Sequence, residues 1–287
     1  MRADALSSAL ARLRELPVRV EEACYAWSFV DLGWPRPHGH LVLRGGGCEG
    51  QGELVAFDEA THRHLEEVAL AGELRVAEAP GEGFARCAWE AALLDLGLRQ
   101  AGHSMSSFLG LPASRRLRVC HSFGQLPAQD AGRALKIDHQ EGVDYTGRAV
   151  VVVDFKGREL PLEEPDPAWI LEDPPAVVRA PWALDQGLLS PADLERRPRP
   201  THLNLKAGRL GGFLRTLEVA VRARELGLSL YWGGQWELGA ARRQAQQFAA
   251  WLCPEGWNDL APGPGGYPLV DPRTVQVPLD GPGFGAP

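Results

Sequence analysis

From Leu117 onward the chain repeats one motif, a short strand-like apolar run that stops on polar side chains, and nothing else in the sequence constrains the fold as much. The runs are LRVCHS (117–122), ALKIDHQ (134–140), AVVVVDFKG (149–157), AWILEDP (168–174), APWALDQ (180–186), THLNLKAG (201–208) and SLYWGG (229–234). Two segments with helical periodicity, FLRTLEVAVRARELG (213–227) and AARRQAQQFAAWL (240–252), separate the later runs. Strands alternating with helical patterns predict a parallel α/β sheet or barrel.

The first part of the chain reads differently. Leu6, Leu10, Leu13 and Leu16 recur at helical spacing. CYAWSFV, HLVLR and GQGELVAF, broken by Trp34-Pro-Arg-Pro and by Gly45-Gly-Gly, predict an antiparallel meander. FARCAWEAALLDLGLRQAG (84–102) is a helix ending at the cap residue Gly102. The division expected is an α+β unit over 1–113, the barrel over 114–261 and a Pro/Gly-rich tail over 262–287. Thirty Lys and Arg against 37 Asp and Glu give a net charge of −7, which argues against a general nucleic-acid binder. No apolar stretch approaches the length of a membrane span. The charged N-terminus is not a signal peptide. Cys24, Cys48, Cys87, Cys120 and Cys253 have the wide spacing of free thiols in a reducing cytoplasm. A cytoplasmic protein is therefore expected, with no nucleic-acid or membrane partner; self-association is left open.

The polar residues that end the runs carry the chemistry. Asp154, Glu172, Asp185 and Lys206 end successive strands, and in a parallel barrel all such ends point to one face, where active sites lie. Any one of them alone is an ordinary strand-end charge. Together the three carboxylates would converge on a spot suited to a hard divalent cation, with Lys206 facing it.

The order Asp154 in VVVDFKG, Glu172 in ILEDPP, Asp185 in ALDQG, Lys206 in LNLKAGRLGG and Glu237 in WGGQWELG resembles the enolase superfamily, in its muconate-cycloisomerase and o-succinylbenzoate-synthase branch. HLVLRGGGCEGQGE and the helix at 84–102 are similar to that family's capping domain. The resemblance implies an α+β capping domain on a modified (β/α)7β TIM barrel. It also implies Mg²⁺, or Mn²⁺, held by Asp154, Glu172 and Asp185, with a small substrate carboxylate on that metal. A lysine base would remove the proton next to the carboxylate to give an enediolate.

Two departures from the pattern stand out. The family's Lys-x-Lys is Lys136-Ile-Asp138 here, and its Asp-x-Asn is Asp154-Phe-Lys156. Lys156 either restores a cation near the metal or stands past the strand end at the surface. The second departure is length. Leu117 to Leu260 is 144 residues, where a typical barrel takes about 250. Asp154 to Glu172 is 18 residues and Glu172 to Asp185 is 13, too few for a strand, a helix and two loops. At least two connections between Lys136 and Asp185 should therefore lack a full helix, and PPAVVRAP (174–181) cannot be one.

The candidate catalytic residues are Lys206, Lys136, Asp138 and Lys156. His121, Gly233, Gly234, Glu237 and Trp34 are the candidates for substrate contact, with Trp232, Trp236 and Trp27 nearby. GRLGG (208–212) could bind an anion at a helix start, but within the resemblance it is the turn after the lysine strand. His38/His40 and His62/His64 lack the partners of a zinc site. The reaction these residues fit is a metal-dependent carbon–oxygen lyase, an o-succinylbenzoate-synthase-type dehydration in menaquinone synthesis, because dehydration needs one base on one face. The alternative is a repurposed homologue that binds without turnover. A cycloisomerase or epimerase fits less well, since Asp138 removes the second lysine.

Overall fold

The computed structural model describes residues 2–110, 113–158, 165–175, 178–195 and 198–284. The chain begins with α1 (Ala3–Arg14), which buries Leu6, Leu10 and Leu13. After β1 (Pro17–Val20) come β2 (Glu22–Asp31), β3 (Pro35–Gly45) and β4 (Cys48–Leu54), the antiparallel meander read from the sequence. Gly46 and Gly47, both at positive φ, make the β3–β4 turn. Next are α2 (Glu59–Glu66), capped by the Asp58 carboxylate, β5 (Gly72–Arg75), which pairs with β1, and α3 (Gly83–Gln100). Helix α3 lies directly on β4. A Cβ at Gly50 would fall 2.4 Å from Leu96 N, and one at Gly52 2.2 Å from Ala88 O, so only glycine allows this approach. A short α4 (Met105–Leu109) leads out of the unit.

LRVCHS does not form one strand. Its first part, β6 (Arg116–Arg118), pairs antiparallel with the C-terminal stretch, and only β7 (His121–Phe123) enters the parallel sheet. That sheet continues through β8 (Leu135–Asp138), β9 (Val150–Asp154), β10 (Ile170–Glu172), β11 (Trp182–Leu184), β12 (His202–Leu205) and β13 (Ser229–Trp232), each hydrogen-bonded to the next. Its two edges are joined by residues 258 and 259. Asn258 bridges to Val119, its carbonyl accepts from Cys120 N, and Asp259 N donates to Trp232 O. The eighth stave is thus reduced to a pair of residues, with no apolar run to announce it.

The expected loss of early helices is present. Residues 139–149 connect β8 to β9 through turns alone. Among the described residues no helix lies between β9 and β10 or between β10 and β11, and a 3-10 turn, Pro191–Glu195, precedes β12. Residues 176 and 177 of PPAVVRAP lie outside the described residues. Aromatic side chains take the helices' place as cover: Tyr145, Phe155 and Trp169 pack on Leu135, Ile137, Val153 and Leu171 in a separate buried cluster. Beyond β12 the helices return as the one-turn α5 (Ala207–Leu210), α6 (Phe213–Glu225) and α7 (Gly239–Leu252). The Pro/Gly-rich stretch is docked: β14 (Leu269–Asp271) and β15 (Thr274–Gln276) extend β6, and Phe284 is buried with its N–H on Asp95. Residues 285–287 of that stretch lie outside the described residues. No helix among the described residues is long and apolar enough to cross a membrane.

Candidate active site

Register sets the site. Asp138 on β8 pairs with Asp154 on β9, which pairs with Glu172 on β10, so three carboxylates stand abreast where the strands end. Glu172 is fully buried at the centre. It accepts from Lys136 Nζ at 2.8 and 2.7 Å, from Asn204 Nδ2 at 2.8 Å and from Tyr231 O–H at 2.9 Å. These donors lie on β8, β12 and β13, none of them a neighbour of β10, so the sheet is curled around Glu172. Lys136 Nζ also lies 3.3 Å from Asp154 Oδ2 and 3.9 Å from Asp259 Oδ2. Burial alone would lower the Lys136 ammonium, but Glu172, Asp154, Asp259 and Asp185 outweigh it and hold it well above its ordinary value. Burial next to Glu172 pushes the Tyr231 hydroxyl far up.

Asp154 is wrapped by Lys156, whose N–H reaches Oδ1 at 2.9 Å and whose Nζ reaches Oδ2 at 2.5 Å. Lys156 takes positive φ to do this, and its Nζ lies 3.3 Å from Asp138 Oδ1. Lys156 thus stands just past the end of β9, its side chain 40% exposed, and contacts both Asp154 and Asp138. Asp185 accepts from Lys206 Nζ at 2.7 Å and from Arg209 Nη1 at 2.5 Å. Its backbone is fixed by Asp173, which accepts from the N–H groups of Asp185 and Gln186. Burial would raise the Asp185 carboxyl, but Lys206, Lys136 and Arg209 bring it below its ordinary value.

A cavity of about 720 Å³ opens above this floor. His121, Lys136, Asp138, Lys156, Asp185, Lys206 and Gly234 line it, while Asp154 and Glu172 lie behind Lys136. Gly233 stands behind the wall, where a Cβ would fall 2.1 Å from Asn204 Oδ1 and 2.5 Å from Lys206 Cε. Glu237 points elsewhere. It accepts from Gln235 N and faces Arg242, held there by the sharp turn in which Trp236 takes positive φ. Trp34 stacks on Phe57 and meets Trp236 edge-on at the rim, and Phe57 and Trp236 themselves reach the cavity. The N-terminal unit thus forms part of the wall, tied on by Arg36 to Trp236 O and by Leu238 N to Glu53. Trp27 lies against Phe29 and His62. Among the described residues, a cavity of about 650 Å³ at the other end of the strands has only Arg224 and Glu255 as charged groups, so the charge marks the strand-end mouth.

The site also contains residues that the sequence reading passed over. Asn204 and Tyr231 each lie two positions before a residue it had chosen, Lys206 and Gly233, and alternation along a strand would have found both. Arg209, inside GRLGG, and Asp259, on the reduced stave, carry no such signal. His38 is paired with Glu53, and His62 with Tyr25 and Ala56 O, as structural groups.

Asp154, Glu172 and Asp185 are hard oxygen donors, as Mg²⁺ or Mn²⁺ would require, and such an ion needs open oxygens at about 2.1 Å. Every one of their oxygens already accepts from a donor, chiefly Lys136, Lys156, Lys206 and Arg209. Among the described residues no three His, Cys, Asp or Glu side chains are disposed to hold one metal ion. As the side chains stand, these residues do not fit a divalent ion.

The C-terminal domain of a family of unknown function, DUF8230, matches residues 165–267. An o-succinylbenzoate synthase of Enterococcus faecalis is 24% identical, over 71% of this chain and 73% of the relative. A mandelate racemase/muconate lactonizing enzyme of Roseiflexus sp. superposes with a TM-score of 0.74 at 21% identity, covering 93% of this chain and 98% of that one. Muconate lactonizing enzyme from Pseudomonas putida gives 0.71 at 17% identity, over 93% and 96%. An enolase-superfamily protein of Enterococcus faecalis V583 gives 0.67 at 17%, over 85% and 86%. The chain has the fold of the enolase superfamily, with a TIM-barrel-like parallel sheet, and the resemblance read from the strand-end residues holds at that level.

Proposed function

We propose that this chain binds a small carboxylate in the strand-end cavity and moves a proton on the carbon beside it, as a carbon–oxygen lyase. The observation that carries this reading is Lys206, a buried lysine on the cavity wall whose Nζ is held by Asp185, across the curled sheet from Lys136 and Asp138. One such group suffices for a dehydration. As the free amine, having given up its ammonium proton, Lys206 takes the proton, the electron pair moves onto the carboxylate as an enediolate, and its collapse expels the hydroxyl of the neighbouring carbon. Lys206 returns the proton to that hydroxyl, and water leaves. The charge that grows on the enediolate lies beside Lys136, Lys156 and Arg209, fixed cations in a partly enclosed site.

The finer reading is an o-succinylbenzoate-synthase-type dehydration, a step of menaquinone synthesis, supported by the 24% identical relative of that name. In it the N-terminal α+β unit (1–113) acts as the capping domain of a trimmed (β/α)7β barrel (114–261), with Phe57 facing the substrate. The five free cysteines agree with a reducing cytoplasm.

The test is incubation with the cyclohexadiene substrate of o-succinylbenzoate synthase, followed by absorbance, and with other small carboxylates in D₂O, followed by NMR. Lys206→Ala should reduce turnover or exchange by about 10²–10⁴-fold, the usual contribution of a positioned acid/base, and leave the circular dichroism unchanged. No turnover and no exchange of any α-proton in the wild type would end the lyase reading. A second reading, a carboxylate-binding protein without turnover, has its own support: Asp138 stands where the resemblance calls for a lysine, and it is engaged by Lys156. Binding of succinylbenzoate by calorimetry, with no exchange, is its signature.

A further inference from the structure

We infer that the Lys136 ammonium is the resident cation of the Asp154–Glu172–Asp185 group, so that this barrel keeps its carboxylates together without a divalent metal. The inference concerns the site of the proposed lyase but does not depend on turnover. Lys136 reaches inward from β8 with a side chain only 2% exposed, into the midst of the carboxylates. Its Nζ contacts both oxygens of Glu172 at 2.7–2.8 Å and lies 3.3 Å from Asp154. These are N–H···O distances, and Mg²⁺ would draw the same oxygens in to about 2.1 Å. An ion could take that place only after Lys136 left it.

The surroundings leave little charge for such an ion to neutralise. Five carboxylates (Asp138, Asp154, Glu172, Asp185 and Asp259) face four cations in ion-pair range (Lys136, Lys156, Lys206 and Arg209). A divalent ion added to this group would turn a single excess negative charge into a single excess positive one, around a carboxylate, Glu172, that is itself fully buried. The neutral donors point the same way. Asn204 and Tyr231 close the remaining lone pairs of Glu172, as befits a carboxylate bound to an ammonium and fully satisfied.

The test reads metal binding, not catalysis. Mn²⁺ is titrated into the purified, EDTA-treated protein and the free ion is followed by electron paramagnetic resonance; thermal midpoints are recorded with and without about 10 mM MgCl₂ at matched ionic strength. The wild type should leave the Mn²⁺ signal undiminished and gain no midpoint shift, since a ligand bound to the native state raises the midpoint by mass action. Lys136→Met removes the ammonium and leaves the buried Glu172 without its cation. It should melt lower in EDTA and recover on addition of Mg²⁺ or Mn²⁺, with Mn²⁺ bound at about one per chain. Stoichiometric Mn²⁺ binding by the wild type overturns the inference, and so does a Lys136→Met protein that folds yet binds no ion. Should Lys136→Met not fold, the wild-type titration decides alone. Absence of turnover would end the lyase reading and leave this one standing, and Mn²⁺ binding by the wild type would do the reverse.

Discussion

Glu90 on α3 makes folding stability depend on pH in a way that one substitution should remove. The side chain is fully buried where α3 meets the start of α6. Its Oε1 accepts from Leu214 N at 3.2 Å, and its Oε2 has no hydrogen-bond partner among the described residues. Burial pushes its carboxyl from an ordinary value of 4.5 up to about 8, against the opposing pull of Leu214 N–H and Arg86. Below pH 4.5 both native and unfolded states carry the proton and Glu90 contributes nothing. Between 4.5 and about 8 the unfolded chain has lost the proton and the native state keeps it, so stability falls as pH rises, by about 1.4 kcal/mol per unit. The accumulated penalty is about 3 kcal/mol at pH 7 and levels off near 5 kcal/mol above pH 8, as orders of magnitude. Glu90→Gln keeps the acceptor for Leu214 and cannot ionise. Urea unfolding of both proteins at pH 5, 6, 7, 8 and 9 gives the difference in which all other titrations cancel. That difference should favour the glutamine variant increasingly up to pH 8 and then stay constant. Parallel stability curves for the two proteins from pH 5 to 8 would show that Glu90 is not held protonated by its surroundings.

Other expectations follow from the floor of the cavity. Tyr231→Phe removes a buried O–H donor and leaves Glu172 Oε2 to Lys136 alone, and denaturant unfolding should report a loss of about 1–3 kcal/mol. Asp138→Lys places an ammonium beside Lys156 and should lower the thermal midpoint, more at low salt than at high. Adding Lys156→Asn to that variant should restore most of the loss; equal midpoints for the single and double variants would mean that the two positions do not interact.

Much of the fold could be read from the chain because parallel strands buried on both faces leave an apolar run, and the residue at each end is free to be polar. That is why Asp154, Glu172, Asp185 and Lys206 could be named by position, and why the short spacings located the missing helices. The β6–β7 split could not be read the same way. LRVCHS looks like one strand, and only the docking of β15 on Arg116–Arg118 divides it. Asp259 was hidden for a related reason: a stave held by one bridge and two carbonyls needs no hydrophobic pattern. Glu237 was chosen from a motif, yet its direction depends on the positive φ of Trp236, a conformation that a tryptophan does not announce.

The two residues that differ from the pattern of the resembled family, Asp138 and Lys156, meet in space. Asp138 stands opposite Asp154 in the β8–β9 register, and Lys156 leans back from the end of β9 to touch both. A lysine kept at 138 beside Lys156 would set two ammonium groups against one exposed flank, and an asparagine kept at 156 beside Asp138 would leave two adjacent carboxylates with Lys136 alone. The exchange moves the cation from the β8 strand to the β9 end and lowers the local charge by one, since a Lys and an Asn together carry +1 and Asp138 with Lys156 carries none. Lys136 is thereby left as the only lysine side chain on β8, and the deepest position available to it is the one among the carboxylates. The charge swap at the rim and the ammonium at the centre are therefore parts of a single arrangement, in which lysines do the electrostatic work at the strand ends.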